Sequence, residues 1–267
     1  MGTGREPSAR AEGHHGPADG VKGILGSQYL ERQPLRLQER VWIYPPDWQH
    51  LEPTIGWVST GAGLIVIDSG NSPEHGRRAL RAIRSISDEP IRYLINTHRH
   101  WDHTFGNQVF AAPIIAHALC RRKLEQNLRD DWAPDRLMGW VQSFVLTHVP
   151  TLQLEQFAGL RLIRPEITFS GHLRLTLGAT RLELVYLGGV HTRDSIGVYL
   201  PAQRLLFLGD ALYFRTDQQI AERLGRLLRR IDALGAERFV AGHERPYDRE
   251  VLARKARRWL AKSNSSG

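Results

Sequence analysis

The run Thr97-His98-Arg99-His100-Trp101-Asp102-His103 decides how this chain is read. Two histidines two positions apart, then an adjacent Asp-His pair, put four metal-binding side chains into six positions. Imidazole and carboxylate are ligands that divalent zinc, iron and manganese accept. Three more such residues stand alone further along, each after an apolar run. They are His191 after Gly188-Gly189-Val190, Asp210 after Leu205-Leu206-Phe207-Leu208-Gly209, and His243 after Phe239-Val240-Ala241-Gly242. Seven ligands are too many for one tetrahedral ion. They suit two ions that share a bridging carboxylate and keep positions open for water, the mark of a site for chemistry rather than a closed structural one.

The bulk properties narrow the setting. At 267 residues the chain can bury a full core and suits one large domain. Residues 1–30, rich in Gly, Pro, Ala, Glu and His, read as a flexible tail, and 31–267 as the folded domain. No run of 18 or more apolar residues is present, so no transmembrane helix is expected. The N-terminus lacks the apolar stretch of a secretory signal. The single cysteine, Cys120, excludes an internal disulfide and fits a reducing cytoplasm. It lies in an apolar stretch and reads as a buried, inert thiol. The formal charge of +8 comes almost wholly from arginine. Arg77, Arg78, Arg81 and Arg84 fall on one predicted helix, and Arg223, Arg226, Arg229 and Arg230 on another. Spread this way, without a clustered patch or recognition motif, they read as solvated helix faces. That argues against a nucleic-acid partner and leaves a small-molecule substrate.

Strands are expected at 40–44, 55–60, 63–68 and 92–96, with a helix opened by Ser72 as N-cap and Pro73 at its first position. The metal motif follows the fourth strand as a loop, and a helix is expected from about His117 to Leu128. Residues 129–160, with Trp132, Trp140 and Phe144, read as a helical insert near the active site. A second strand series spans 166–170, 172–177, 181–187, 195–200 and 204–208. Thr216-Asp217-Gln218-Gln219 resembles a capping box ahead of a helix whose Ile220, Leu224, Leu227, Leu228 and Ile231 share one face. A strand ending at Gly242-His243 and a basic helix over about 249–260 follow. Alternating strands and helices indicate a layered α/β domain.

The ordered motifs resemble the metallo-β-lactamase superfamily, whose signature is H-x-H-x-D-H followed by a distant His, Asp and His. The resemblance covers roughly residues 35 to 262. It includes Leu64-Ile65-Val66-Ile67-Asp68-Ser69-Gly70, where the family's early Asp supports the site from behind the ligands. The resemblance implies a four-layer αββα sandwich with the site along one edge. It implies that His98, His100 and His191 hold a first metal, that Asp102, His103 and His243 hold a second, and that Asp210 bridges them. Asp68 would fix a ligand's orientation. Trp101, Tyr213 and Arg245 are candidate substrate contacts.

The implied cofactor is a pair of divalent ions about 3.5–4 Å apart, zinc first, with iron or manganese as alternatives. The implied chemistry is hydrolysis of an activated acyl bond (ester, thioester, lactone or amide, with slow β-lactam cleavage included) by a bridging hydroxide, with Asp102 receiving a proton. Asp at 210 resembles the glyoxalase-II-like branch, whereas β-lactam-specific enzymes place Cys or Ser at the corresponding position. His100 counts against the flavodiiron class, which carries Glu there. An iron-dependent sulfur dioxygenase, a nuclease or phosphodiesterase, and a non-catalytic sensor of the same fold stand as alternatives.

Overall fold

A computed structural model describes residues 32–130, 133–213 and 220–264. The expected tail, Trp132 and the capping box at 216–219 lie outside these residues. The first strands are short and bounded by turns: β1 (Leu35–Gln38), with no buried residue, then the largely apolar β2 (Val41–Tyr44), β3 (Ile55–Ser59) and β4 (Leu64–Ile67). They form an antiparallel meander, register Trp42 opposite Trp57 and Trp57 opposite Val66. Helix α1 (Pro73–Arg84) follows, its Ser72 hydroxyl accepting from the His75 amide at 3.1 Å. That bond satisfies one of the amides a helix start leaves open.

From α1 the chain returns to β5 (Ile91–Ile95), which lies parallel to β4, and then makes a single helical turn, α2 (Trp101–Thr104). The metal motif is therefore half loop and half helix rather than all loop. His100 is extended and serves as the cap residue, so the chain turns sharply between the second histidine and Asp102. Strand β6 (Ile114–His117) is parallel to β5. His117 ends it, and α3 (Ala118–Asp130) starts one residue later than the sequence suggests, because the 117 backbone pairs with β7 (Ile167–Phe169).

Between α3 and β7 lie α4 (Pro134–Trp140), a π-helical segment over Val141–Val145, and α5 (Leu146–His148). A second sheet holds β8 (His172–Leu177), β9 (Thr180–Tyr186), β10 (Ile196–Leu200), β11 (Leu205–Gly209), β12 (Arg238–Ala241) and β13 (Tyr247–Asp248). Its spatial order is β13-β12-β11-β10-β9-β8, beside the first sheet's β1 to β7 in sequence order. Helix α6 (Ile220–Ala233) crosses between the parallel strands β11 and β12, and α7 (Arg249–Asn264) ends the described chain.

Period-two patterning builds three packed interfaces. Val41, Ile43, Val58, Ile65, Ile67 and Ile95 of the first sheet meet Leu182, Leu184, Ile196, Val198, Leu205 and Phe207 of the second. Trp57, Leu64, Val66 and Leu94, on the other face of the first sheet, pack under Ala79 and Ile83 of α1. Leu206, Leu208 and Phe239 pack under Leu224, Leu227 and Ile231 of α6 and Leu252 of α7. Helix, sheet, sheet, helix is thus the layer order, the αββα sandwich the motifs implied. Among the described residues no helix is long and apolar enough to cross a membrane. Cys120 is buried at 0% exposure, and burial, reinforced by the neighbouring Asp194 carboxylate, pushes its thiol well above the usual range.

Gly56 on β3 faces the opposite sheet, where a Cβ would come 2.4 Å from the Phe207 ring. Both sheets are fixed by their ladders, so Gly56→Ala overpacks the inter-sheet core. We expect a loss of about 1–3 kcal/mol, read as a lower urea midpoint with an unchanged denaturant slope.

Candidate metal centre

The strand ends carry the site. Asp68 follows β4, His98 follows β5, His191 lies between β9 and β10, Asp210 follows β11 and His243 follows β12. β4–β5 and β11–β12 are parallel pairs, so their C-terminal ends open on the same edge of each sheet. Backbone bonds stitch the two edges together. The Ile196 amide donates to the Thr97 carbonyl at 2.9 Å, and the Thr54 amide to the Gly242 carbonyl at 2.6 Å. Gly209 adopts φ +50, and a Cβ there would meet Thr97 Oγ1 at 2.3 Å; glycine alone lets the two strand ends approach this closely.

Two groups of candidate metal-binding residues result. The ligand atoms of His98, His100 and His191 all lie within 4.8 Å of one another, as do those of Asp102, His103, Asp210 and His243. In the first group His191 Nε2 faces His100 Nδ1 at 2.9 Å. In the second, His243 Nε2 is 3.0 Å from Asp102 Oδ2, and His103 Nε2 is 3.5 Å from Asp102 Oδ2 and 3.4 Å from Asp210 Oδ1. Asp210 reaches both groups, its Oδ2 lying 3.6 Å from His243 Nε2 and 3.7 Å from His191 Nε2.

These spacings test whether a cation fits. Ligand atoms about 2.1 Å from a tetrahedral ion are roughly 3.4 Å apart, close to the contacts around Asp210. His98 Nε2 and both Asp210 oxygens are buried without a hydrogen-bond partner. Buried polar atoms are rarely left this way, and a divalent ion satisfies all three. The residues therefore fit divalent metal ions.

Two of the imidazoles are oriented from behind. His103 Nδ1 lies 2.8 Å from Asp68 Oδ2, which leaves Nε2 toward Asp210. His191 Nδ1 donates to the Tyr213 carbonyl at 2.7 Å, which leaves Nε2 toward the first group. Asp68 itself is held at φ 58, in the left-handed region, by the Thr97 amide at 2.7 Å and the Thr97 hydroxyl at 2.8 Å. Asp is one of the few residues other than glycine to visit that region, and a site that over-determines the residue sustains it.

The electrostatics follow from burial and neighbours. Burial alone pushes the His98 pKa well down, and nearby His103 and His100 push it the same way. Burial would also disfavour a His103 cation, yet the carboxylates of Asp210, Asp68 and Asp102 hold its pKa well above the ordinary value. Burial would raise Asp210, but the charges of His103 and His243 keep it well below the usual carboxylate range. Without an ion, protons on imidazole balance the buried carboxylates; a cation takes that role when bound.

Of the candidate substrate contacts, Trp101 is buried, 8% exposed, and packs against Phe105 and Trp140 at 5.7 and 6.4 Å between centroids. Tyr213 is half-buried, stacks on Trp48 at 6.3 Å and meets the His243 ring edge-on at 6.0 Å. Burial, then the charge of Glu244, raises its hydroxyl pKa, so it keeps its proton and can donate a hydrogen bond. Arg245 is exposed.

Two residues beside the ligands escaped sequence reasoning. Trp48, in the β2–β3 loop, sets its ring edge-on to His243 at 5.3 Å, and nothing in its local sequence signals this. Asp194, three positions after His191, pairs with Arg99 at 2.9 Å; its closeness to a ligand was the available signal.

The comparisons with known proteins agree with this geometry. A family model of the metallo-beta-lactamase superfamily matches residues 51–243. A linear primary-alkylsulfatase of Pseudomonas sp. (strain ATCC 19151) is 27% identical over 166 residues, covering 56% of this chain and 31% of that protein. The 2,4-dinitroanisole O-demethylase subunit alpha of Nocardioides sp. (strain JS1661) is 25% identical over 161 residues, covering 58% and 40%. The chain thus spans about a third to two fifths of the length of these curated relatives. Among solved structures, a metallo-beta-lactamase from Pontibacter korlensis superposes with a TM-score of 0.63 at 21% identity, covering 86% of this chain and 98% of that one. A stereoselective inverting sec-alkylsulfatase from Pseudomonas sp. gives 0.63 at 16% identity, covering 87% and 41%. The matched residues include all seven side chains of the two groups, from His98 to His243, and the chain belongs to the metallo-β-lactamase superfamily.

Proposed function

We propose that this protein is a dinuclear metal-dependent hydrolase of the branch with a bridging aspartate, acting on a small molecule with an activated ester-type bond. The observation that carries the reading is Asp210: its carboxylate stands within 3.4 to 3.7 Å of His103, His243 and His191 and has no hydrogen-bond partner of its own. His98, His100 and His191 would hold one ion, and Asp102, His103 and His243 the other. Zinc is the first choice for this nitrogen-and-carboxylate set, with iron or manganese as alternatives. Two such ions supply Lewis acidity and make water acidic enough to yield a nucleophile near neutral pH.

The chain's own residues do the rest. Asp102, fully buried among the ligands, takes a proton on its carboxylate and returns it to the leaving group. Asp68 keeps His103 in the tautomer that presents Nε2 inward. Tyr213 donates a hydrogen bond from its hydroxyl to a substrate oxygen, while Trp48 and Tyr213 form an aromatic wall beside His243. Arg245, exposed two positions beyond His243, meets an anionic substrate group at the mouth.

Acyl esters, thioesters, lactones and amides fit this chemistry. A sulfate ester is a second reading, favoured by the likeness to alkylsulfatases. A panel of aryl and alkyl acyl esters, thioesters, lactones and alkyl sulfates, run on metal-quantified protein, separates the two. Oxygen consumption with a single bound iron would instead point to the dioxygenase class, and no turnover of any substrate to a sensor.

Asp210→Ala should remove one ion in preference to the other. Loss of groups behind a ligand commonly costs 10–100-fold, so loss of this shared carboxylate should lower activity by at least about 100-fold. Two tightly held ions with full turnover in that variant would refute the dinuclear assignment.

Imidazole binds a cation only when neutral, so protons compete for the site as pH falls, first at His103, whose carboxylate neighbours hold its pKa up. Bound metal, measured by elemental analysis after desalting, and hydrolysis should decline together on the acid side. Both should vanish on chelation and return with zinc or manganese. Hydrolysis that survives metal removal would sink the mechanism.

The helical segment 134–148 sets substrate choice in this reading. Trp140 touches Trp101, which sits between His100 and Asp102, and Phe144 stacks on Trp140 at 4.9 Å. Trp140→Ala should alter the ratio of kcat/KM between a long-chain and a short-chain substrate with metal content unchanged. A loss of stability with that ratio intact would assign the segment to packing alone.

A further inference from the structure

Arg99 stands between two ligand histidines, yet its side chain turns away from them to an acid 95 positions further along the chain. Its Nη1 lies 2.9 Å from Asp194 Oδ1. The Arg99 side chain is 21% exposed and that of Asp194 2%. Asp194 lies three residues after His191, on the segment between β9 and β10. The ion pair therefore ties the loop bearing His98 and His100 to the loop bearing His191, the three residues of the first ligand group.

The two loops come from different sheets. One backbone bond, Ile196 amide to Thr97 carbonyl, joins them at their base; at the site itself His191 Nε2 meets His100 Nδ1 at 2.9 Å, and beside it the Arg99–Asp194 ion pair joins the loops through residues outside the two groups. The orienting contacts already described each act on one loop. Asp68 turns His103 and holds Thr97 beside His98, and the Tyr213 carbonyl sets the rotation of the His191 ring without touching the His98–His100 loop. A guanidinium on a buried carboxylate has a fixed planar geometry, and separating the two leaves an uncompensated buried charge. Metal ligands tolerate only a few tenths of an ångström in distance, so a strut between the loops sets whether three imidazoles can meet on one ion.

We propose that Arg99 and Asp194 form a positioning pair that sets the separation of His98 and His100 from His191 and thereby controls cation affinity at the first group, leaving the second unaffected. This rests on the reading of the two groups as metal sites.

The test titrates metal-free protein with Co(II) and follows its visible absorption, with a competing chelator to fix affinities. Wild type is compared with Asp194→Asn, Arg99→Gln and Arg99→Lys. His98→Ala, which breaks the first group, supplies the reference spectrum of an ion in the second. We expect two cobalt equivalents in wild type. In Asp194→Asn and Arg99→Gln the first-group affinity should fall about 10–100-fold while the second stays within error. Arg99→Lys, which keeps the charge, should restore most of what Arg99→Gln loses. Tm of the metal-free proteins is measured alongside, and the Asn and Gln variants are read independently, so misfolding of one leaves the other decisive. Two unchanged affinities in a folded variant, or an equal fall at both groups that tracks Tm, would overturn the positioning role and leave the metal centre standing. A wild type that takes up no cobalt would overturn both.

Discussion

The structure depends on one chain of contacts, from the Asp68 carboxylate through the His103 imidazole to the Asp210 carboxylate. Asp68 belongs to the end of β4, His103 to the helical turn after β5, and Asp210 to the end of β11 in the other sheet. A buried carboxylate–imidazole–carboxylate array is costly unless each charge has a partner. Its existence forces the two sheets into one registry at this edge. Short backbone bonds between Thr54 and Gly242 and between Thr97 and Ile196 join the two sheets at the same edge. Gly242 shows how tight the fit is: a Cβ there would lie 2.0 Å from Asp210 Oδ1.

Charge compensation then organises the neighbourhood. Burial disfavours the cation of both His103 and His98; three acids overcome it at His103, whereas at His98 the histidines beside it add to it. Two imidazoles a few ångströms apart thus differ in preference because their neighbours differ, the pattern expected where a site is built to accept positive charge. Such an arrangement is poorly suited to stability for its own sake, since hydrophobic residues of similar volume serve that end as well or better.

Around this polar edge the apolar layers serve as a rigid frame. The inter-sheet core and the two helix-facing cores are dominated by branched aliphatic side chains, which hold strand ends in place without polar demands of their own. A separate aromatic cluster gathers Trp101, Phe105, Trp140 and Phe157 beneath the 134–148 segment. The metal motif and that segment are therefore mechanically linked through Trp101, whose place in the H-x-H-x-D-H run has as much to do with packing as with the pocket.

Much of this was legible in the chain itself. Period-two strands, the Ser72-Pro73 helix start, and histidines and acids at the ends of apolar runs are local signals, because strand patterning and capping act over a few residues. They sufficed to order the elements and to single out His98, His100, Asp102, His103, His191, Asp210 and His243, and the motif likeness extended the set to Asp68. Which partners those residues meet is decided by contacts between segments far apart in sequence. Asp210 reaching both groups, Trp48 set against His243 and Arg99 turned to Asp194 depend on how two sheets pack face to face, and the burial of Trp101 depends on the 134–148 segment packed against it. No local pattern encodes that approach; only the tertiary fold brings strand ends from both sheets to one edge and so determines what each of these side chains can touch.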